Sequence, residues 1–159
     1  MTEDFAWESL DGVLVRRVPW EYGCMGTPAQ GLARLHAAAS SGELDALCAA
    51  HHIRVLTVYG SAAGGEAAAR DLDIGVITER VGLDVVALIA DLIDLTGTGC
   101  VDLAHLNRAG PVLKERALVG SIGLYESEAG ALATAQAAAI GERIDTDPMR
   151  RLDLELLSR

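Results

Sequence analysis

Lysine is almost missing from this chain: Lys114 stands alone beside twelve arginines and 23 acidic residues, for a formal net charge of −10. Binding a nucleic-acid backbone requires a basic footprint, so this balance argues against it as the main partner. A basic protein or a small anion held through a metal suits it better. Aromatic side chains make up only 4% of the residues, which leaves the core to Ala, Leu, Val and Ile. The three cysteines, Cys24, Cys48 and Cys100, are far apart, and no Cys-x-x-Cys or Cys/His ligand spacing occurs. Structural zinc is therefore not expected, and reduced, buried thiols are. The start, Met1-Thr2-Glu3-Asp4, lacks the basic residues of a signal peptide, and the longest apolar run falls far short of a membrane span. A cytoplasmic protein is expected.

At 159 residues the chain suits one domain burying about 70% of its unfolded-state surface. Residues 1–26 read as an N-terminal arm with a strand at Val13-Leu14-Val15 and packing through Trp7, Trp20 and Tyr22. Residues 27–159 read as the domain, with a core over 53–125 and a helical C-terminus over 127–158. Thr27-Pro28-Ala29-Gln30 is a helix start with a capping box, and Ser40-Ser41-Gly42-Glu43 repeats the pattern. Ile53–Tyr59, Leu72–Ile77 and Cys100–Leu106 read as strands and Gly82–Leu95 as the clearest helix, with Asp84, Asp91 and Asp94 on a solvated face. Pro111 opens another helix, on which Lys114 and Arg116 read as solvent-facing. Ile122–Tyr125 reads as an edge strand, Glu126–Ile144 as a helix, and Asp147-Pro148 as the start of a last one. The fold class is α/β, a small mixed sheet with flanking helices.

The chemistry concentrates between Val58 and Ile77. Gly60 and Ser61 follow the first strand; after nine intervening residues comes Asp71-Leu72-Asp73-Ile74. Alternation on a strand puts Asp71 and Asp73 on one face, and carboxylates so close call for a hard cation, normally Mg2+. Gly60 permits close backbone approach, Ser61 can offer a hydroxyl and an amide to phosphate, and Arg70 can meet a phosphate oxygen. Asp102 repeats the pattern of a lone carboxylate between apolar neighbours. His36, His51, His52 and His105 have neither triad nor ligand spacing and read as packing or surface residues.

This order of motifs resembles the polymerase-β-like nucleotidyltransferases, and from about Ile53 to Leu157 the chain is similar to their minimal, single-domain group. Val101-Asp102-Leu103, the Pro111-led helix, Gly120–Glu126 and Ile144–Arg151 carry the likeness further. The resemblance implies a polymerase-β-like fold with extra N-terminal and C-terminal helices. It also implies Asp71, Asp73 and Asp102 as catalytic ligands of two Mg2+ ions, with ATP as substrate, bound by Gly60, Ser61 and Arg70. It further implies an antitoxin that transfers AMP to a tyrosine of a HEPN-domain ribonuclease toxin. Ala62 stands where many relatives carry arginine, and Arg70 where many carry serine, which implies altered triphosphate contacts. Two alternatives stay open: nucleotidyl transfer to a small molecule such as an aminoglycoside, and a non-catalytic antitoxin that neutralises by contact. A homo-oligomer or a hetero-complex fits either.

Overall fold

A computed structural model of the chain describes residues 7–10, 13–16, 26–65, 69–79 and 82–158. Strands β1 (Trp7–Leu10) and β2 (Val13–Arg16) form a separate antiparallel hairpin; the expected ring packing of the arm lies outside the described residues. Helices α1 (Pro28–Ser41) and α2 (Glu43–Ala50) lead into β3 (Ile53–Tyr59), the short α3 (Gly60–Ala63) and β4 (Leu72–Thr78). Then come α4 (Val85–Thr96), β5 (Val101–His105), a 3-10 turn at Leu106–Arg108, α5 (Pro111–Leu118), β6 (Ile122–Glu126) and α6 (Ala131–Leu157).

The four later strands form one sheet in the order β5-β4-β3-β6. β3 pairs antiparallel with β4 and with β6, while β4 and β5 run parallel. A parallel pair needs a long crossover, and α4 supplies it. β6 is an edge strand, as its short apolar run suggested.

Strand alternation divides the side chains between two cores. Leu56, Val58, Leu72, Ile74 and Val76 are buried with Leu35 and Leu44 of the first two helices and Leu88 and Leu92 of α4. Val55 faces the other way, joining Leu106, Ala117, Leu118, Ala131 and Ala139 under α5 and α6. Each such leucine removed from water contributes about 1.5–3 kcal/mol, so the sheet is clamped on both sides. α5 packs against the sheet at Gly75. A Cβ there would lie 2.9 Å from Thr57 Oγ1, 3.1 Å from Leu106 Cδ1 and 3.3 Å from Ala117 Cβ. The buried Thr57 hydroxyl donates to Ala117 O at 2.7 Å, satisfying a carbonyl of the last turn of α5 that has run out of intrahelical donors.

The first capping box forms as expected: Thr27 Oγ1 accepts from Gln30 N at 3.2 Å and Gln30 Oε1 accepts from Thr27 N at 2.9 Å. The second does not. α1 continues through Ser41, and α2 begins at a left-handed Gly42 (φ +83°) without a side-chain cap. Asp84, expected inside a helix face, is the N-cap of α4 and accepts from Ala87 N at 3.0 Å. Helix α6 corrects the two-helix reading of the C-terminus at both ends. β6 keeps Glu126 and the helix starts at Ala131, so 127–130 is a turn; further on, the helix runs unbroken through Pro148. An interior proline costs about 3 kcal/mol through its missing amide and ring clash. Here Asp147 braces the helix across that point, paired with Arg143 one turn before and with Arg150 (3.0 Å) and Arg151 (2.6 Å) after.

Cys48 is free and buried, its thiol pushed up to about 12 by burial and by Asp45. Cys100 is disulfide-bonded, against the expectation of reduced thiols throughout. Among the described residues no helix is long and apolar enough to cross a membrane.

Candidate active site

The site forms where three strands align side chains of one face. Tyr59 is the register partner of Asp73 across β3–β4, and Asp73 is the partner of Asp102 across β4–β5. Directly paired residues project to the same side, so Tyr59, Asp73 and Asp102 stand abreast on the face that carries α5. Asp71 lies in the bend before β4 rather than on the strand. Its placement beside Asp73 therefore comes from the chain's entry into the sheet, not from strand alternation as expected.

Electrostatics tie these groups into one cluster. The Asp73 carboxyl is held above its ordinary range by partial burial, then by the like charges of Asp102 and Asp71, with Arg116 opposing. The Tyr59 phenol is raised by burial and by Asp73 and Asp102, again opposed by Arg116. Asp73, Asp102 and Asp71 repel one another with Arg116 opposing, and carboxylate oxygens are the donor type that a hard divalent ion takes. Among the described residues no three His, Cys, Asp or Glu side chains stand together closely enough to hold a metal ion between them. That is compatible with Mg2+, which usually takes one or two carboxylates and fills its octahedron with water and substrate phosphates. The donor chemistry of Asp73 and its neighbours fits Mg2+, while the three carboxylates are not gathered into a complete ligand set.

Gly60 closes the site from β3. Its φ is +72°, and a Cβ built on it would overlap the Asp73 carboxylate, so only glycine lets that carboxylate lie over the turn. Ser61 is half-buried in the first turn of α3, and Arg70 is exposed one residue ahead of Asp71. The cation acting on Asp73 is Arg116 of α5, which sequence reading had placed on a solvated face. Nothing local to Arg116 marks it; only the docking of α5 over Gly75 brings it to the site. Tyr59 was also missed as a site residue, although its place directly before Gly60 was a usable signal. Lys114 is bound elsewhere, in a half-buried pair with Glu142 at 2.8 Å.

The carboxylate row is open to one side, with Asp71 and Asp102 exposed. A cavity of about 250 Å³ lies instead at the other end of the sheet, where Arg54, Ile77, Asn107 and Lys114 meet α6. A more open groove of about 510 Å³ runs between Glu115 of α5 and Arg143–Arg151 of α6.

Residues 43–129 match the polymerase beta nucleotidyltransferase family. No curated protein matches the chain. Among solved structures, it is similar to a mutant MntA–HpeT toxin–antitoxin at 14% identity and a TM-score of 0.62, over 74% of this chain and 98% of that one. A toxin–antitoxin with AMP-PNP matches at 16% identity, with the same TM-score and coverage. The tri-AMPylated HEPN toxin of Shewanella oneidensis in complex with its MNT antitoxin gives 15% identity and a TM-score of 0.60, over 78% of this chain and 99% of the other. At such identities the likeness is one of fold.

Proposed function

The chain belongs to the polymerase beta nucleotidyltransferase family, and from that premise we propose that it transfers AMP from ATP to a tyrosine hydroxyl of a HEPN-type toxin, acting as the antitoxin. The observation that carries this reading is the row of Asp73 and Asp102 on adjacent parallel strands, backed by Asp71 and closed by Gly60. The nucleotide and the partner are suggested by the similar complexes, which include an AMP-PNP-bound toxin–antitoxin and an AMPylated HEPN toxin.

In this reading the acceptor oxygen attacks the α-phosphorus, the bond to pyrophosphate breaks, and the acceptor proton leaves. Asp71 and Asp73 would hold Mg2+ against the phosphates, and Asp102 would complete the shell on the acceptor side. Magnesium, when bound, supplies the positive charge that offsets the negative charge growing on the attacking and leaving oxygens. Asp102, exposed at the open edge, receives the acceptor proton. Gly60 and the half-buried Ser61 bring backbone and hydroxyl donors close to the phosphates, and Arg116 supplies a guanidinium to the same cluster. Arg70 sits at the rim and contacts the outer phosphate. The open side of the row favours a protein surface as acceptor over a small molecule, which needs an enclosing pocket.

The test is to incubate the protein with ATP, Mg2+ and the HEPN protein encoded beside it, and to weigh both chains. The reading expects one or more AMP-sized additions to a tyrosine of the partner, lost with Asp73→Asn. Tight binding without any addition would instead make the protein a contact antitoxin. Modification of an aminoglycoside alone would make it a small-molecule enzyme.

A further inference from the structure

Tyr59 belongs to the row of side chains on the sheet, and the proposed reaction leaves it unused. Strand order fixes its place. β5, β4 and β3 are neighbours, so Asp73 stands between Asp102 on one side and Tyr59 on the other. Asp102 takes the acceptor side of the reaction, which leaves Tyr59 on the side of the nucleotide. It is also the last residue of β3, from which the turn of Gly60 and Ser61 departs. The ring is half-buried and packs on the core of Val55, Ala117 and Leu118 beneath α5. Phenylalanine would serve that packing equally well, and a hydroxyl drawn out of water usually finds a partner. Among the described residues the Tyr59 hydroxyl has none. Burial, then Asp73 and Asp102, hold the phenol above its ordinary range, so it keeps its proton at neutral pH. It is a neutral donor with nothing in the protein to donate to.

Resting on the nucleotidyltransferase reading of this site, we propose that Tyr59 is a nucleotide-binding residue whose hydroxyl donates a hydrogen bond to a phosphate oxygen of ATP. The charge around it favours such a donor. Asp71, Asp73 and Asp102 act against the single guanidinium of Arg116, so an incoming polyphosphate needs hydrogen-bond donors besides the charge of a metal. Arg116 acts on both Tyr59 and Asp73, which puts one donor on the helix and one on the sheet beside the same carboxylate. A neutral donor also suits the position better than a cation. Lysine or arginine on β3 would form an ion pair with Asp73 and compete with the metal for its oxygens. The phenol competes less, because a neutral hydrogen bond is weaker than a charged pair. The backbone that carries it is fixed as well, since Tyr59 pairs with Asp73 and the preceding Val58 pairs with both Ile74 and Ile122. A donor held on a rigid strand loses little freedom when the ligand arrives.

Tyr59→Phe tests this, because it keeps the ring and its packing and removes only the oxygen. Calorimetric titration of the full chain with Mg2+ and a non-hydrolysable ATP analogue should show binding weakened at least about tenfold, as expected for losing a hydrogen bond to a charged group. Inorganic tripolyphosphate, which has no sugar or base, should weaken by the same factor. In AMP transfer, KM for ATP should rise to match while kcat changes by less than about threefold. Urea unfolding of the two proteins should coincide, which separates the effect from a loss of structure. Equal affinities of wild type and Tyr59→Phe for both ligands overturn the proposal and leave the enzyme reading standing. Weakened analogue binding with unchanged tripolyphosphate binding also overturns it, since the contact then lies on the nucleoside. So does a fall in kcat with KM unchanged. A wild-type chain that binds neither ligand and transfers no AMP defeats the reading of the site itself, and the assignment of Tyr59 with it.

Discussion

Gly60→Ala should silence the site with only modest loss of stability. Two effects act at this position. The left-handed backbone (φ +72°) costs a non-glycine residue about 1–2 kcal/mol. Separately, the new Cβ would occupy the space of the Asp73 carboxylate, which must swing away from Asp102. Displacing one charge-stabilising group typically costs about 10²–10³ in rate. Gly120→Ala separates the two effects, because Gly120 has a similar φ of +77° and nothing within 4 Å of its built Cβ. Both variants should lose about 1–2 kcal/mol in urea unfolding, but only Gly60→Ala should lose AMP transfer, by at least about a hundredfold. If the two variants transferred AMP at similar rates, the claim that Gly60 exists to seat the Asp73 carboxylate would be wrong.

Three further perturbations probe other parts of the account. Thr57→Val keeps the side-chain shape but strips Ala117 O of its buried donor at 2.7 Å, so urea unfolding should show a loss of about 1–3 kcal/mol. Arg116→Ala removes the cation that opposes the carboxylates at Asp73; it is exposed, so the fold should be unchanged while KM for ATP rises at least about tenfold. Asp147 is held at about 2 by its hydrogen bonds to Arg143 and Arg150. A depressed carboxyl stabilises the fold above its unfolded value near 4 and loses that contribution as pH falls towards 2. The melting-temperature gap between wild type and Asp147→Asn should therefore be open at neutral pH and close across that interval.

The sequence was most informative where one local rule decided the outcome. Thr27-Pro28-Ala29-Gln30 contains its own cap, and the β-branched run at Ile53–Tyr59 has one comfortable conformation. Asp73 and Asp102, each between apolar neighbours, could be placed on strands before their registry was known. Local rules failed where tertiary contacts overrode them. Pro148 looked like a helix start because the arginines that brace Asp147 act together only once the helix has formed. Ser40 looked like a cap, but α1 runs through it to Ser41 and the left-handed Gly42 supplies the turn that α2 needs. Arg116 gave no sign of its role, which depends on Gly75 letting α5 settle onto the sheet. Asp71 was read as a strand residue sharing a face with Asp73, but it belongs to the bend and not to β4, and only its charge is seen to reach Asp73.

The most direct measurement is a crystal structure of the protein with Mn2+ and a non-hydrolysable ATP analogue, read by anomalous scattering. Metal peaks ligated by Asp71 and Asp73, with Asp102 on the acceptor side and the phosphates over Gly60 and Ser61, are the predicted result. A nucleotide bound away from β4, or an Asp102 carboxylate with no metal within reach, would contradict it.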